Sequence, residues 1–118
     1  MIKKTSISFA SASGPRALDV MVAASALARM RGLLWRPALG PGQGMLLRPC
    51  NLVHTIGMRY PIDVVFLRRD GTVLRVAPEV GPRRMRGHWS AACVLELAAG
   101  EASRCGLAPG LKLSLARC

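Results

Sequence analysis

The sequence predicts an α+β domain in which mostly short β-strands form a mixed or antiparallel, partly closed, barrel-like sheet with two short helices. Three observations lead to this fold class. The apolar segments are short, and turns rich in glycine and proline separate them. The dipeptide Asp70-Gly71 is a strong hairpin signal. The helical segments are too few and too short to be the crossovers of a doubly wound fold.

The first half of the chain is predicted to contain short strands, one helix and a long loop. The strands are segments 5–10, 17–23, 45–49 and 51–56. Segment 26–31 is predicted to be a helix, because Ser25 stands where an N-cap belongs and Gly32 where a left-handed C-terminal cap belongs. Segment 36–44 is predicted to be a loop, since its prolines and glycines sustain neither a helical nor a strand period.

The second half is predicted to begin with a β-hairpin and to end with a strand. A loop rich in arginine, segment 78–90, follows the hairpin. Segment 93–98 is predicted to be a strand, and a short helix within 100–105 is predicted to end at Gly106. A turn at 108–110 then leads into a last strand, 111–116.

The hairpin predicts which way one acidic side chain points. A two-residue type I′ loop at Asp70-Gly71 predicts the pairs Leu67 with Leu74, Phe66 with Arg75, Val65 with Val76, and Asp63 with Pro78. Because side chains alternate along a strand, Asp63 shares a side with Val65 and Leu67. We therefore expect Asp63 to point into the core, where an ionised carboxylate needs hydrogen bonds or a positive group.

The segment just before the hairpin is expected to supply partners for Asp63. Gly57 and a proline four residues later should form a tight corner that returns the chain to the start of the strand. Thr55 could donate its hydroxyl, Arg59 its guanidinium and the loop its backbone N–H groups. His54 is expected to lie within reach of the same place.

Two interpretations of this corner stay open. In the structural one, Asp63 accepts hydrogen bonds from loop amides and fixes the corner. In the functional one, His54 and Asp63 form an acid/base or ligand-holding pair at the rim of a pocket, and Arg59 receives an anion. The predicted ligand-binding residues are His54, Thr55, Met58, Arg59 and Asp63.

The charge balance limits the partners to expect. The net charge is +11, and 14 of the 17 basic residues are arginine, a field that attracts nucleic acid, anionic lipid or acidic proteins. The basic residues are scattered, and one tyrosine, two phenylalanines and two tryptophans are too few for a platform that stacks bases. We expect no specific nucleic-acid recognition, and nonspecific binding through the basic surface stays an alternative.

Length and composition predict a single compact domain, 1–118. No apolar run reaches the roughly 18 residues of a membrane span. The N-terminal segment is a poor match to a secretory signal, so we expect a cytoplasmic protein, with a periplasmic or exported location as the alternative. The four cysteines form no C-x-x-C pair. We therefore expect buried thiols, with no metal and no cofactor. Two disulfides, in an exported protein, stay an alternative.

No motif marks an enzyme. The nucleophile elbow, the Walker loop, the H-E-x-x-H zinc motif and the glycine-rich dinucleotide turn are all missing from the sequence. We therefore predict no catalytic residue. One enzymatic alternative is a small hydrolase or transferase that uses Cys50 or His54, because a histidine near a thiol can activate it as a nucleophile.

Three blocks of the sequence resemble a known family. They are "RMRGLLWRPALGPGQGMLL", "VHTIGMRYPIDVVFLRRDGTVLRV" and "VLELAAGEASRCGLAPGLKLSL". In this order they are similar to the widespread prokaryotic domain-of-unknown-function family 192, over residues 17–117. The resemblance implies one compact, mostly β domain with short helices, and many relatives that carry an export signal or lipoprotein leader. It carries over no activity and no catalytic residue.

The chain departs from the pattern of that family at three positions. Trp35 stands where a small residue is common, Leu111 where an aspartate is frequent, and Cys105 where leucine or a similar residue is typical. The missing aspartate counts against a mechanism that needs an acid in the final turn. The corner around Asp63 and the positive charge lead us to expect a non-enzymatic binding or accessory module for a small anionic ligand or a partner segment.

Overall fold

The computed structural model describes residues 3–12, 14–25, 28–29, 32–34 and 36–115. Of this part, 50% is strand and 6% is helix. The elements described are β1 (Lys3–Ser11), β2 (Gly14–Ala23), β3 (Gln43–Leu47), β4 (Leu52–His54), β5 (Ile62–Leu67), β6 (Val73–Val80), β7 (Met85–Gly87), β8 (Cys93–Ala98) and the helix α1 (Glu101–Arg104).

Six strands form one open sheet in the order β1-β2-β3-β8-β5-β6, and β4 pairs with β7 in a separate two-stranded ribbon. The paired strands are antiparallel except β2 and β3, which run parallel. Parallel neighbours need a long connection, and residues 24–42 provide it. This crossover packs Leu33 into the core on one face of the sheet.

Both faces of the central strands are buried. All six residues of β5 are buried, and β5 and β8 lie side by side within the sheet. Val65 and Leu95 point to the side on which α1 packs, which we call the α1 face. Val64 and Phe66 point to the opposite side, which we call the crossover face. Burial on both faces explains the continuous apolar sequence of β5 around its single acid.

The β5–β6 hairpin has a three-residue loop instead of the predicted two-residue loop. Gly71 has a φ of 93°, but Asp70 does not have the positive φ that a type I′ turn requires. The Gly71 N–H donates to the Arg68 carbonyl at 2.9 Å. The loop is therefore a type I turn followed by a left-handed glycine.

Two irregularities shift the pairing of β5 with β6. The first moves the partner of Leu67 by one residue, from the predicted Leu74 to Val73, and beyond it Val65 pairs with Val76 as predicted. The second lies opposite Asp63, where the predicted regular pair is absent. A bulge in β6 at this second position makes room for the Asp63 carboxylate.

The predicted α+β, partly closed, barrel-like sheet is wrong. The domain is mostly β, and its sheet is open, with β1 and β6 at the two edges. In the described part of the predicted last strand, 111–116, Ser114 forms an isolated bridge with Ser8 and Lys112 forms one with Thr72. These are single bridges, so they do not join the two edges in a continuous ladder.

The two predicted helices have different outcomes. The second is α1, the one helix whose bounds the structure gives, so a pair of helices is not shown. Of the first, segment 26–31, only residues 28 and 29 belong to the described part, where both are helical, and the others lie outside it. The flanking caps are as predicted: Ser25 Oγ accepts a hydrogen bond from the Ala28 N–H at 3.1 Å, and Gly32 has a φ of 50°.

Candidate functional site

Asp63 points inward, as predicted, and is 1% exposed. Its Oδ1 accepts a hydrogen bond from the Glu79 N–H, and its Oδ2 accepts one from the Ala102 N–H, both at 2.8 Å. The partners are therefore backbone amides of the β6 bulge and of the first turn of α1. Neither Thr55 nor Arg59 supplies them. This carboxylate joins two elements of the fold.

Thr55 is also buried and engaged with backbone. Its Oγ1 donates to the Gly81 carbonyl at 2.7 Å and accepts a hydrogen bond from the Arg84 N–H at 2.8 Å. These bonds hold the chain before β7 against the end of β4. Thr55 thus positions the ribbon, and its one hydroxyl donor is used within the protein.

The five predicted ligand-binding residues do not share one pocket. His54 and Met58 line a cavity on the crossover face. Arg59 is exposed and lines, again with Met58, a neighbouring cavity of about 470 Å³. Thr55 and Asp63 line neither of these two cavities. Asp63 points to the α1 face, whereas His54 lines a cavity on the crossover face, so the structure offers no support for pairing the two side chains.

Glu96 is the acidic side chain at the cavity of His54. It lies in β8 between Met45 of β3 and Val64 of β5, so it points into the apolar core of the crossover face. Glu96 is 4% exposed. Among the buried side-chain nitrogen and oxygen atoms of the described residues, Glu96 Oε1 alone has no hydrogen-bond partner.

The other two buried carboxylates show how unusual this is. Asp63 accepts two backbone hydrogen bonds, and Glu101 accepts one from the Gly42 N–H at 2.9 Å and pairs with Arg104. Buried polar atoms in native proteins nearly always have partners. An unsatisfied carboxyl oxygen beside a cavity is therefore a candidate contact for a ligand.

The cavity at Glu96, which we call the Glu96 cavity, has a volume of about 320 Å³. Its walls are mostly apolar, with Leu33, Leu34, Leu47, Val53 and Met58 among them, and its polar groups come from Arg29, Cys50, His54 and Glu96. Gly32 completes the wall beside the acid: a Cβ there would lie 3.2 Å from Glu96 Oε1. A glycine at this position leaves room for the carboxyl group.

Burial dominates the electrostatics of the cavity. It raises the pKa of Glu96 to about 7, since no charge or hydrogen bond compensates for lost hydration. Burial also raises the pKa of the Cys50 thiol and the Tyr60 hydroxyl, and the nearby charge of Glu96 raises both further. The Cys50 Sγ–H donates to the Leu52 carbonyl at 3.3 Å. Cys50 is therefore a protonated thiol at neutral pH.

Arg29 is the cation on the cavity wall. It is half-buried, and its Nη1 donates to the Pro49 carbonyl at 2.9 Å, which fixes the guanidinium beside the loop between β3 and β4. A guanidinium carries five N–H donors, so one bond to a carbonyl leaves others for a ligand. The cavity thus offers a cation and a buried acid within apolar walls, and it can hold a small molecule that has both a polar and an apolar part.

The sequence contains a signal for Glu96 that the predictions do not use. Segment 93–98 is predicted to be a strand, and Glu96 stands between Leu95 and Leu97 in it. An acid within an otherwise apolar strand is the same pattern that draws attention to Asp63. Gly32 and Arg29 could not be linked to Glu96 in this way, because the crossover brings them there from a distant part of the chain.

Metal ligands, cysteines and membrane-spanning helices are three other features that could indicate a function. Within the described ranges, no group of three or more His, Cys, Asp or Glu side chains could hold a metal ion. Cys50 and Cys105 are free, whereas Cys93 is disulfide-bonded. No helix among the described residues has the length and the apolar sequence that a membrane span requires.

Comparison with known proteins gives a family and a fold. The model of the family described as "Uncharacterized ACR, COG1430" matches residues 8–115, nearly the whole chain. No curated protein matches. A crystal structure from Sinorhizobium meliloti 1021, described as a "putative transcription regulator", is 28% identical, with a TM-score of 0.87, over 96% of this chain and 94% of that one.

Two further solved structures share the fold. A protein of unknown function from Novosphingobium aromaticivorans DSM 12444 is 24% identical, with a TM-score of 0.86, over 95% of this chain and 85% of that one. A "putative exported protein" from Burkholderia pseudomallei K96243 is 15% identical, with a TM-score of 0.52, over 98% of this chain but 25% of that one. At these identities the likeness shows the fold alone.

Proposed function

Because the chain belongs to the domain-of-unknown-function family 192, whose description names no activity, we propose a function from its own cavity: a non-enzymatic module that binds a small anionic ligand at Glu96. The single observation that carries this proposal is the unpartnered Oε1 of Glu96 in a cavity of about 320 Å³. A buried polar atom without a partner costs free energy that a ligand can recover. Small-molecule sites are typically concave and mostly apolar, with a few polar groups that orient the ligand.

Two groups in the cavity favour an anion. The Arg29 guanidinium can form charge-assisted hydrogen bonds with a carboxylate or phosphate. Glu96 in its protonated form can donate its O–H to an anionic oxygen. The net charge of +11 also draws anions toward the protein. An apolar part of the ligand would lie against Leu33, Leu34 and Met58, which line the same cavity.

Binding of an anion is expected to take up a proton. The pKa of Glu96, raised to about 7 by burial, means that the acid and the carboxylate coexist near neutral pH. The other charged or titratable groups around it are Arg29, His54, Cys50 and Tyr60. A bound anion favours the protonated acid. Affinity should therefore fall as the pH rises, by up to about tenfold per pH unit above the pKa of Glu96.

Calorimetric titration with short-chain carboxylates and inorganic phosphate, at pH values on both sides of the Glu96 pKa, tests the proposal. In Glu96→Gln the side-chain amide can donate at every pH. We expect this variant to bind the same anion with an affinity that no longer falls as the pH rises. The matched control is Glu79→Gln, because Glu79 is exposed, and it should keep the pH dependence of the unsubstituted protein.

Two results would overturn the proposal. One is that none of these anions binds at any pH. The other is that an anion binds but Glu96→Gln keeps the pH dependence of the unsubstituted protein, which would place the anion away from Glu96. Replacing Glu96 by Leu removes the donor at this position, and undiminished affinity in that variant would also place the anion away from Glu96.

This proposal keeps the predicted ligand class and moves the centre of the site. Of the five residues predicted from the sequence, His54 and Met58 stay in the proposed site, because both line the Glu96 cavity. Arg59 lies outside it, and Thr55 and Asp63 hold backbone segments in place. The sequence also predicts a segment of a partner protein as an occupant. The cavity volume of about 320 Å³ favours a small molecule over such a segment.

The enzymatic alternative is less well supported. A nucleophilic Cys50 needs a thiolate and a base beside it. Burial raises the pKa of Cys50, and its Sγ–H is bonded to the Leu52 carbonyl instead of to His54. These facts favour a binding module over a hydrolase or transferase.

A role in transcription, which the Sinorhizobium relative is named for, is also less well supported. Helix-turn-helix proteins place a recognition helix in the major groove. The helix α1 has four residues, and Glu101 and Ala102 are buried in it. It is too short and too enclosed to enter a groove.

For the location of the protein, we favour the periplasmic or exported alternative. The cytoplasmic expectation depends on the N-terminal sequence alone. Cys93 is disulfide-bonded, and disulfides persist mainly in oxidising compartments. Cell fractionation tests this choice: recovery of the protein with cytoplasmic markers would contradict it.

A further inference from the structure

The ribbon of β4 and β7 exposes an apolar face. Leu52 is 54% exposed and Met85 is 58% exposed. Both side chains are on the same side of the ribbon, because His54 pairs with Met85 and lies two residues from Leu52. Ile56 and Trp89, just beyond the two strands, are 59% and 94% exposed. We call Leu52, Ile56, Met85 and Trp89 the ribbon face.

The exposure of Trp89 is built into an ordered turn. The preceding His88 donates its N–H to the Asn51 carbonyl at 2.9 Å, and the Ala91 N–H donates to the His88 carbonyl at 2.9 Å. The His88 ring packs near Phe66, with the ring centroids 6.1 Å apart. The backbone on either side of Trp89 is thus fixed, and the indole is held out in water. Exposed apolar side chains grouped in a patch mark sites that contact a protein or a membrane.

Arginines lie near the ribbon face. Arg83 and Arg84 are exposed, and hydrogen bonds between the backbone of these two residues and Thr55 place them beside the end of β4. Arg86 lies within β7, where alternation puts its side chain on the other side of the ribbon from Met85. From 80 to 95 the sequence contains no aspartate or glutamate, so no acid within this segment neutralises the arginines.

We propose that the ribbon face docks this protein on an anionic lipid surface. The apolar side chains would enter the boundary between head groups and acyl chains, where tryptophan is favoured. The arginines would contact lipid phosphates, and their long side chains reach the head groups while the apolar residues are inserted. This inference is independent of ligand binding. Leu52 and Ile56 also line the Glu96 cavity, so docking would bring that cavity to the membrane surface.

The composition of the ribbon face favours lipid over other anionic partners. Nucleic acid would use the arginines and one aromatic ring, but it leaves Leu52, Ile56 and Met85 without a role. An acidic protein would need a shaped interface of roughly 800 Å² on each partner. A fluid lipid surface accepts separate apolar side chains and does not need such a complementary shape.

Flotation of the full chain with vesicles tests the proposal. We expect binding to vesicles of phosphatidylglycerol mixed with phosphatidylcholine, and little binding to phosphatidylcholine alone. Substitution of Arg83 and Arg84 by Gln should weaken binding by about fivefold for each arginine. Replacement of the exposed Met85 and Trp89 by Ser should weaken it by about tenfold or more. In the matched control, Lys3→Gln with Lys4→Gln on the exposed edge of β1, affinity should stay within about twofold.

The fluorescence of Trp89 gives a second measurement. Its emission should shift to shorter wavelength when anionic vesicles are added, and Trp89→Phe should remove that shift. Failure to bind phosphatidylglycerol vesicles would overturn the proposal. So would binding that the Met85 and Trp89 substitutions leave unchanged, since the contact would then be purely electrostatic. Duplex DNA that binds through Arg83 and Arg84 and displaces the vesicles would assign this surface to nucleic acid instead.

Discussion

The Oδ2 atom of Asp63 accepts a hydrogen bond from the backbone N–H of Ala102 at 2.8 Å. This bond attaches the first turn of α1 to the central strand β5, while Oδ1 of the same carboxylate holds the bulge at Glu79. Glu79 has a φ of 47°, which is unfavourable for a residue with a side chain. One side chain thus stabilises a helix start and an otherwise strained bulge.

Removal of the Asp63 carboxylate should destabilise the domain. Asp63→Ala leaves two backbone N–H groups without an acceptor, and Asp63→Asn keeps one acceptor oxygen. We expect losses in the free energy of unfolding of roughly 1 to 4 kcal/mol, larger for Ala than for Asn. Urea denaturation measures them. The control is Asp19→Asn at an exposed position on β2, and a loss at Asp63 no greater than this control would contradict the structural role.

Glu96 should make stability depend on pH. Burial raises its pKa from 4.5 to about 7 in the folded protein, so the folded state holds this proton more tightly than the unfolded state. The contribution of Glu96 to the free energy of unfolding is fully present below pH 4.5 and is lost as the pH rises through about 7. The loss corresponds to roughly 3 kcal/mol.

Denaturation curves over this pH range test that prediction. In Glu96→Gln the free energy of unfolding should not show this fall. Above a pH of about 7 this variant should be more stable than the unsubstituted protein. Glu79→Gln, at an exposed glutamate, should keep the loss. A Glu96→Gln protein whose stability falls with pH as steeply as that of the Glu79→Gln control would show that Glu96 titrates normally.

Cys50 should react slowly with thiol reagents. Burial raises the pKa of its thiol, and the thiolate is the reactive form. Peptide-level mass spectrometry after iodoacetamide treatment of the native protein measures the rate at Cys50. We expect it to be lower than the rate of glutathione in the same solution. Faster labelling than glutathione at neutral pH would revive the hydrolase or transferase alternative.

Cys93 should be alkylated only after reduction, because it is disulfide-bonded. The free thiols Cys50 and Cys105 give the internal comparison. In denaturant without a reductant, both should be modified while Cys93 is not. Modification of Cys93 under those conditions would remove the reason for placing the protein in an oxidising compartment.

Local patterns in the sequence are sufficient for the orientation of Asp63 and for most strands, but not for β7 or for the segment 111–115, which forms only single bridges. Alternation along β5 turns Asp63 inward whatever the partners are, and one bulge restores the predicted pairing of Val65 with Val76. The three-residue loop could not be distinguished from a two-residue one, because Gly71 suits both. β7 lies in a segment rich in arginine and glycine, and it forms a strand because β4 pairs with it.

The site was harder to predict because it depends on contacts between distant parts of the chain. The crossover brings Arg29 and Gly32 to Glu96 of β8, more than sixty positions away in the numbering. The partners of Asp63 could not be foreseen for the same reason, since Ala102 and Glu79 come from later elements. The open sheet likewise depends on how the edge strands lie in space, which alternation within a strand does not determine.

An NMR titration of the carboxyl carbon of Glu96, assigned by comparison with Glu96→Gln, shows whether this buried acid takes part in anion binding. We expect a pKa of about 7 for Glu96 in the free protein, and a further rise when a binding anion is added. A pKa near the ordinary 4.5 in the free protein, unchanged by every anion, would contradict this expectation.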